Sequence, residues 1–590
     1  MESNQYKNQI SRRDFIKAAG LGAVALGALG GVGALASCSS GASIKWDFET
    51  DVVVVGSGAA ACAAAVTAFS QGSAVIMLEK SSAFGGTTAK SGGEAWIPNN
   101  FALHAQGIHD SKAECMKFMA RAAYPTRFNP SDSLLGLPQH EYNLLSAYYD
   151  NGSKAIDYFM QIGACQFTQQ NPVLTDYVDH TTLNKVPRGR GIFPKAANGS
   201  IGFGNELTTQ MKTYIDAHKV QVMMSSRVTQ VVLSDKHEVL GIRATSNGKT
   251  IAVRGKKAVI FGSGGFTHNP ELVLQYQLGP TYGGCAVITN EGDFVYIAQA
   301  AGAQLSSMNW AWNAEIPLEP ALQSPSTPND IWQPAGDSMI LVNKYGVRVT
   351  DEKRDYNDRT KLHFCWDPIQ QEYPNQILFM IYDQRTRDLF ASAPGGYPIP
   401  TSGNPSYELS GQTFQELGQS IRARVNQLSS SLGIFTLDAA FETNLAATVA
   451  RFNQFANAGV DQDFQRGLYP YDAEWHTSTF SIPAQGTKWP ANTLPNITMY
   501  PFTAQGPYYC ILIAAGTLDT CAGPRTNELA QVLDTNEKPI PGFYGAGNCI
   551  ATPGHCYFAG GATIGPALTY GYIAGVNAAK EPVKSGNILP

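Results

Sequence analysis

A continuous apolar run, followed by a glycine-rich turn and an alanine-rich segment, forms the first clear structural unit of the chain. Residues 51–55 read Asp-Val-Val-Val-Val, which is typical of a strand buried on both faces of a parallel sheet. The alanine-rich segment reaches about Gln71, and a second apolar run covers residues 74–78. This order of hydrophobic and polar positions predicts a strand, a helix and a second parallel strand.

The turn inside this unit carries small residues where a bound dinucleotide requires them. Gly56 permits the tight turn, Gly58 lets a diphosphate approach the backbone, and Ala61 lets the helix pack closely on the strand. Glu79 follows the second strand, where a carboxylate can accept the ribose hydroxyls. A glycine fingerprint alone is weak evidence, but here strand, turn, helix, second strand and acid come in order. The unit predicts a dinucleotide site.

The start of the chain carries a twin arginine and a long run rich in Ala and Gly. Arg12 and Arg13 stand in Ser-Arg-Arg-Asp-Phe-Ile-Lys, and apolar residues 18–36 follow. This resembles a twin-arginine (Tat) export signal. The run ends in Leu-Ala-Ser-Cys, which resembles a lipobox that would lipidate Cys38; a plain cleaved signal is the alternative. We expect a signal over residues 1–37, export by the Tat route, and membrane contact only through a lipid anchor, or else a periplasmic protein.

Composition argues against several classes of protein. A net charge of −5 over 590 residues is too small, and of the wrong sign, for a nucleic-acid surface. The ten cysteines are scattered and form no CxxC pair, so we expect no zinc or iron–sulfur site.

Three further segments indicate which dinucleotide binds. Residues 80–93 read Lys-Ser-Ser-Ala-Phe-Gly-Gly-Thr-Thr-Ala-Lys-Ser-Gly-Gly, residues 258–266 read Ala-Val-Ile-Phe-Gly-Ser-Gly-Gly-Phe, and residues 542–548 read Gly-Phe-Tyr-Gly-Ala-Gly-Asn. They resemble the GG-T-x-x-SGG, ATGGF and GLYAAGE/N segments of the succinate dehydrogenase/fumarate reductase flavoprotein superfamily. The resemblance implies FAD, bound by a Rossmann-like α/β domain of the glutathione-reductase type with an inserted α+β cap, or catalytic, domain.

The resemblance also implies a set of cofactor contacts and a domain order. The residues that we expect to bind FAD are Gly56, Gly58, Ala60, Ala61, Glu79, Lys80, Gly86, Thr87, Thr88, Ser91, Gly92, Gly93, Val228, Gly262, Gly264, Gly547, Asn548 and Ile564. Residues 48–288 and 501–590 are expected to form the two parts of the FAD-binding domain, and residues 289–500 the cap. A second nucleotide fingerprint is missing from the sequence, which indicates an external electron carrier such as a quinone or a cytochrome.

Members of the superfamily oxidise or reduce a carbon–carbon bond next to an electron-withdrawing group. A hydride passes between flavin N5 and one carbon, while a protein group moves a proton at the neighbouring carbon. Fumarate reductases hold their dicarboxylate with a histidine and an arginine. Leu518 stands at the histidine position here, and residues 555–567 contain no arginine. Because a dicarboxylate needs fixed positive charge, fumarate is disfavoured as the substrate.

Residues 555–567 read His-Cys-Tyr-Phe-Ala-Gly-Gly-Ala-Thr-Ile-Gly-Pro-Ala. This resembles the GH-x-Y-x-x-x-GATIGPA segment of the 3-ketosteroid Δ1-dehydrogenases. The resemblance implies that the Tyr557 hydroxyl and the Gly561 N–H bind a keto oxygen and stabilise its enolate, and that His555 is structural. Residues 91–98, Ser-Gly-Gly-Glu-Ala-Trp-Ile-Pro, resemble the SGG-x-x-W-[IL]-P segment of the same enzymes.

Two more tyrosines are implied by the same resemblance. Residues 343–356 resemble the family pattern N-x-x-G-x-R-F-x-NE-x-x-x-Y, which assigns the proton-transferring base to Tyr356. Val349 and Asp351 depart from that pattern, since the usual residues are Phe and Asn. The sequence around Tyr177 resembles the PDYY segment that supplies an assisting tyrosine.

Three hypotheses about function follow. The first is a flavoenzyme that inserts or removes a C=C bond next to the carbonyl of a hydrophobic, steroid-like molecule. The second is an extracytoplasmic respiratory reductase of another α,β-unsaturated acceptor, which export favours. The third is a non-enzymatic lipoprotein that binds hydrophobic ligands. A dehydrogenase and a reductase share the same site, so the direction of reaction is left open.

Overall fold

The computed structural model describes residues 44–589 apart from 178–181, 392–396, 402, 404, 479–491 and 554–556. The twin arginine, the apolar run, Cys38 and His555 lie outside the described residues.

The predicted strand–helix–strand unit lies at the centre of an eight-stranded sheet. Strand Phe48–Val55 runs parallel to Val75–Leu78 on one side and to Lys249–Phe261 on the other. Val55 pairs with Leu78 and with Phe261, and Phe261 pairs with Gly545, so four carboxyl ends meet at one edge. The strands of this sheet are Phe48–Val55, Val75–Leu78, Gln221–Met223, Ser226–Leu233, Val239–Ser246, Lys249–Phe261, Gln531–Leu533 and Pro539–Gly545.

Two helices lie against each other beside this sheet with unusually close backbones. Helix Ala59–Ser70 follows the glycine turn, and helix Ile564–Lys580 begins within the GATIGPA segment. A Cβ atom built on Gly571 would overlap the carbonyl oxygen of Ala60, and one on Gly575 would lie 2.7 Å from the carbonyl oxygen of Ala64. Only glycine fits at these contacts. The packing brings both helix N-termini to the carboxyl edge of the sheet.

A second, five-stranded sheet consists of Ala311–Pro317, Met339–Val342, Ile377–Asp383, Leu409–Gly411 and Tyr508–Thr520. Helices Phe414–Gln427 and Phe441–Ala458 share one hydrophobic core with it. The sequence analysis placed residues 501–520 in the second part of the FAD-binding domain, yet strand Tyr508–Thr520 pairs with the second sheet. The chain rejoins the first sheet at Gln531–Leu533. The domain boundaries themselves stay a prediction.

A buried ion network holds the segment that leads to Tyr356. The Arg348 guanidinium donates to both oxygens of Glu352 at 2.8 Å and to Asp461 at 2.9 and 3.1 Å. Arg466 donates to Glu352 at 3.2 Å. Because all four side chains are buried, loss of one partner would leave an uncompensated charge. The arginine and glutamate of the family pattern are therefore structural in this chain.

The other elements are short strands and connecting helices. The short strands are Ala95–Trp96, Phe167–Thr168, Gly191–Pro194, Leu305–Ser306 and Gly523–Pro524. The remaining helices are Gly86–Lys90, Phe101–Ala105, Lys112–Ala123, Gln139–Gln161, Gly204–Ala217, Pro270–Tyr276, Asp293–Ala300, Leu318–Gln323, Tyr356–Thr360, Lys361–Phe364, Gln384–Phe390, Ser429–Leu432, Pro470–His476 and Gly547–Cys549. Within the described ranges, no helix has the length and apolarity that a bilayer crossing requires.

Candidate active site

A cleft of about 990 Å³ opens at the carboxyl edge of the first sheet. Its wall combines the glycine turn, the segment after Glu79 and the N-terminus of helix Ile564–Lys580. Fifteen of the predicted cofactor contacts lie on this wall: Gly56, Gly58, Ala60, Glu79, Lys80, Gly86, Thr87, Thr88, Ser91, Val228, Gly262, Gly264, Gly547, Asn548 and Ile564. Residues from five distant parts of the sequence are thus brought together.

Ala61, Gly92 and Gly93 do not line the cleft. Ala61 lies behind it, where a Cβ atom on Gly262 would stand 2.6 Å from the Ala61 nitrogen. Gly93 has a φ of +75°, and its backbone packs against Phe203 and Gly204. The positive φ and this close packing, rather than a contact with the cleft, explain why residue 93 is glycine.

One end of the cleft has the groups that a nucleotide requires. Gly56 has a φ of +106°, and a side chain there would overlap the Gly262 carbonyl. Glu79 accepts hydrogen bonds from Ser57 Oγ at 2.7 Å and from the Ser81 N–H at 2.8 Å, which fixes its carboxylate beside the turn. The N-termini of helices Ala59–Ser70 and Ile564–Lys580 both reach the cleft and bring partial positive charge to it.

Lys80 lies on the wall of the cleft, but acidic side chains neutralise its ammonium. It donates to Glu291 at 3.1 Å and to Asp293 at 2.9 Å. Arg227 also pairs with Asp293. The arrangement favours an orienting role for Lys80 over a free cation for the diphosphate.

The other end of the cleft contains polar residues that the sequence analysis did not find. Asn290 and Asp519 line it together with Asn548. Asn290 Nδ2 donates to Asp519 Oδ2 at 2.7 Å and to Thr87 Oγ1 at 3.3 Å. Asn290 belongs to no segment with a recognised pattern, and it reaches the cleft from the loop before helix Asp293–Ala300. Only the position of Asp519, directly after Leu518, gave a signal.

The three predicted tyrosines converge in one buried cluster. Their ring centroids are 5.4 Å apart for Tyr177 and Tyr356, 5.6 Å for Tyr177 and Tyr557, and 5.3 Å for Tyr356 and Tyr557. The Tyr177 hydroxyl lies 3.2 Å from the Tyr356 hydroxyl. Trp312 packs against Tyr557 at 5.7 Å and donates from Nε1 to Asn548 Oδ1 at 2.9 Å, so the cluster joins the cleft at the Asn548 end.

Burial controls the protonation of this cluster. It raises the pKa of Tyr177 and of Tyr356 well above the usual value for a phenol, and the neighbouring tyrosines add to the effect. Burial also raises the pKa of Tyr557, although a hydrogen bond with Tyr356 opposes the shift. All three hydroxyls are therefore neutral near pH 7. They can donate hydrogen bonds to an oxygen without carrying charge themselves.

Gly561 lies next to Tyr557, at the start of the long helix. Its φ is +87°, and its carbonyl accepts from the Trp96 N–H at 3.0 Å. A side chain at this position would overlap the backbone between Glu94 and Trp96. The segment Glu94–Trp96 and the segment after Tyr557 are thus held in direct backbone contact.

Glu94 is a second group that the sequence analysis did not assign. Its carboxyl lies between two glycines, because a Cβ atom on Gly191 or on Gly560 would overlap its oxygens. Burial raises the pKa of Glu94 to about 8, and the nearby carboxylate of Asp176 adds to the shift. Glu94 is therefore a neutral carboxylic acid at pH 7. Its carboxyl lies against Gly560, the residue before Gly561.

The position at which fumarate reductases hold a histidine is apolar here. Leu518 is buried in the same hydrophobic core as Tyr177, Tyr356 and Tyr557. Across the described ranges, no group of three His, Cys, Asp or Glu side chains is arranged to hold a metal ion. The chemistry of the cluster is that of neutral donors in aromatic surroundings.

The family model described as FAD binding domain matches residues 51–564. The chain belongs to this family. The chain is 29% identical to a 3-oxosteroid 1-dehydrogenase from Mycolicibacterium smegmatis, over 91% of this chain and 98% of the relative. It is 28% identical to a 4-oxocyclohexanecarboxylate 2-dehydrogenase from Sinomonas cyclohexanicum, over 89% of this chain and 92% of the relative.

The fold agrees with that of solved flavoproteins. A 3-ketosteroid Δ1-dehydrogenase from Sterolibacterium denitrificans superposes with a TM-score of 0.73 at 23% identity, covering 90% of this chain and 99% of that chain. The chain therefore has the FAD-binding fold of the succinate dehydrogenase/fumarate reductase flavoproteins, with mixed α/β content, and its cofactor is FAD.

The cleft fits FAD on its own geometry. Two helix N-termini suit the diphosphate, and the Glu79 carboxylate stands where a ribose binds. Many other residues of the cleft wall are Gly, Ala, Ser or Thr, whose small side chains leave room for the cofactor. The Asn548 end, beside the tyrosines, is where the reactive ring would lie.

We expect charge at Gly58 to abolish cofactor binding. A Cβ atom there would meet only Thr88 Oγ1 at 3.3 Å and the Gly85 carbonyl at 3.8 Å, so Gly58→Ala should keep FAD with weakened affinity. Gly58→Asp places a carboxylate beside the diphosphate and should yield colourless protein. Flavin absorbance per purified chain measures both. Equal loss of FAD in the two variants would mean that bulk, and not charge, excludes the cofactor.

Glu94 should make stability fall as pH rises. Unfolded, this carboxyl titrates near its usual 4.5; folded, it titrates at about 8. Between these values the folded protein holds a proton that the unfolded chain releases, so the free energy of unfolding decreases with pH across that window. Glu94→Gln removes this contribution. Chemical denaturation of the FAD-loaded protein should show the variant gaining stability over wild type from pH 4.5 to pH 8, whereas a constant difference would contradict the buried neutral acid.

Proposed function

We propose that the protein is an FAD-dependent oxidoreductase that acts on a CH–CH or C=C bond next to the ketone of a hydrophobic, steroid-like molecule. The proposal rests on the convergence of Tyr177, Tyr356 and Tyr557 in one buried cluster. Trp312, which packs on Tyr557, links this cluster to Asn548 on the wall of the cleft. Neutral phenols in aromatic surroundings suit an uncharged ketone. The leucine at position 518 does not suit a carboxylate.

The Tyr557 hydroxyl and the Gly561 N–H are proposed to hold the keto oxygen. Both belong to one segment, which is anchored where the Gly561 carbonyl accepts from the Trp96 N–H and where the Phe558 carbonyl accepts from the Tyr177 N–H at 2.9 Å. Negative charge develops on this oxygen as the neighbouring C–H bond changes, and preorganised donors stabilise it. FAD, when bound, supplies the group that accepts or donates the hydride.

Tyr356 is proposed to move the proton at the α-carbon. In the reductive direction its neutral phenol gives a proton to that carbon. In the oxidative direction the phenol first releases its own proton to solvent by way of the Tyr177 hydroxyl, 3.2 Å away, and the resulting phenolate takes the α-proton. The neutral phenol is the resting form of Tyr356 near pH 7, and it is the form that the reductive direction uses.

We infer that residues 289–500 act as an inserted cap over the cofactor. Tyr356 comes from this part of the chain, whereas Tyr177 and Tyr557 come from segments outside it. A substrate bound between these tyrosines would contact both parts. Names of the relatives support a ring ketone as the substrate, since each refers to an oxo-substituted ring.

The electron partner is proposed to be a quinone or a cytochrome. A respiratory ene-reductase of another α,β-unsaturated acceptor is the second candidate function. The twin arginine in Ser-Arg-Arg-Asp-Phe-Ile-Lys, which indicates export, favours it. Holoenzyme assayed with saturated and unsaturated ring ketones, using oxidised or reduced quinone and viologen, would separate the two directions. Absence of turnover with every ketone would overturn the proposed function.

Tyr557→Phe should slow turnover of any accepted enone by roughly 10²–10³, because the ring stays and only the donor to the developing enolate is lost. FAD content and melting temperature should remain near wild type. Tyr570→Phe is the matched control: this buried hydroxyl donates to the Leu144 carbonyl at 2.9 Å, outside the cluster. Normal turnover of Tyr557→Phe would place the oxyanion donor elsewhere.

We also propose export by the Tat route and a lipid anchor at Cys38. Replacing Arg12 and Arg13 with Lys should retain the FAD-loaded protein in the cytoplasm. Cys38→Ala should instead release it from the membrane fraction while export continues. Cell fractionation with immunodetection measures both, and normal export of the double-lysine variant would rule out the Tat route.

A further inference from the structure

Asp519 is a buried carboxylate that lines the FAD cleft and has no place in the proposed proton chemistry. It stands at the end of strand Tyr508–Thr520, one residue after Leu518. Its side chain is 1% exposed, yet it reaches the wall of the cleft beside Asn290 and Asn548. Asp519 is thus a charged group that the second sheet contributes to the wall of the cleft.

Five donors converge on this carboxylate. Oδ2 accepts from the Gly265 N–H at 2.8 Å, from Asn290 Nδ2 at 2.7 Å and from Asn548 Nδ2 at 3.3 Å. Oδ1 accepts from Thr267 Oγ1 at 3.1 Å and from the Thr520 N–H at 3.0 Å. Every one of these donors is neutral. They solvate the negative charge without cancelling it.

The ionised form predominates near pH 7. Burial raises the pKa of Asp519 to about 6, and the hydrogen bonds from Gly265, Asn548 and Thr267 oppose the shift.

Asp519 lies at the end of the cleft where the reactive ring would bind. Asn548 connects it to Trp312, whose Nε1 donates to Asn548 Oδ1 at 2.9 Å, and Trp312 packs on Tyr557. Glu79 and the glycine turn mark the opposite, nucleotide end. A charge at the Asn548 end acts on the part of the cofactor that gains and loses electrons.

We propose that Asp519 sets the reduction potential of the bound FAD by holding a negative charge beside its redox-active ring. Reduction adds two electrons to the cofactor. A fixed carboxylate in a buried, weakly screened site destabilises the reduced form relative to the oxidised form. The potential is thereby lowered, which makes the reduced cofactor a stronger donor to an unsaturated ketone. This inference depends on FAD binding but not on the proposed substrate.

The test is the midpoint potential of the holoenzyme, measured at pH 7.5 by equilibration with reference dyes and without substrate. Asp519→Asn keeps the shape of the side chain and removes the charge. It should favour reduced over oxidised FAD by at least about tenfold, which is a rise of about 30 mV for a two-electron couple. Asp519→Glu keeps the charge and should move the potential less.

Asp383→Asn is the matched control. Asp383 is also buried and accepts from Ser338 Oγ at 2.7 Å, Thr386 N at 3.0 Å and Thr503 N at 2.9 Å, but it does not line the cleft. The midpoint potential of FAD in the Asp383→Asn variant should equal that of wild type. An Asp519→Asn potential that also equals wild type would overturn the proposal.

If Asp519→Asn fails to retain FAD, the variant Thr267→Val tests the proposal instead. Thr267→Val leaves the carboxylate in place and removes its Oγ1 donor, which opposes protonation of Asp519. The variant should therefore lose the charge at a higher pH than wild type, and its midpoint potential near pH 6 should lie above that of wild type at the same pH. An unchanged potential in Thr267→Val, with Asp519→Asn unable to hold FAD, would assign Asp519 to structure alone. Because no substrate is present, a failure of the ketone assay leaves this result unaffected.

Discussion

Close approach between backbones is the constraint on which the rest of this structure depends. The turn at Gly56, the strand end at Gly262 and helix Ala59–Ser70 occupy space that no Cβ atom could share. Gly571 and Gly575 extend the same constraint to the long C-terminal helix. As a result, two helix N-termini and four strand ends face one cleft, and the electrostatics that favour a diphosphate follow from the backbone alone.

The substrate side of the site follows a different rule, because there burial keeps oxygen-bearing groups neutral. Tyr177, Tyr356 and Tyr557 all have raised pKa values, and so does Glu94. A pocket of this kind can donate hydrogen bonds while it offers no charge to an anion. Asp519 differs from these groups, since five donors keep its pKa at about 6 and it remains ionised.

Local sequence was sufficient to predict that the glycine turn and the acid after the second strand lie together at one edge of the sheet. Gly56, Gly58 and Glu79 are set by one strand–helix–strand unit, so their spacing alone places them together. Asn290, Asp519 and Glu94 could not be predicted in the same way. Each reaches the site through pairing between strands or segments far apart in the chain, and no local pattern records such contacts. The pairing of residues 508–520 with the second sheet escaped prediction for the same reason, because a buried apolar strand suits either sheet.

The departure at Asp351 from the family pattern has a physical explanation. Burial and the neighbouring Asp472 raise the pKa of Asp351 well above its usual value, which favours the protonated carboxylic acid. Its Oδ1 accepts from the Lys353 N–H at 2.8 Å, as an asparagine oxygen could. A protonated aspartic acid has the shape of the carboxamide that it replaces and can donate one hydrogen bond, where the carboxamide can donate two. The turn before Tyr356 therefore keeps its hydrogen bonding, and the Arg348–Glu352 pair fixes the tyrosine that the proposed proton transfer requires.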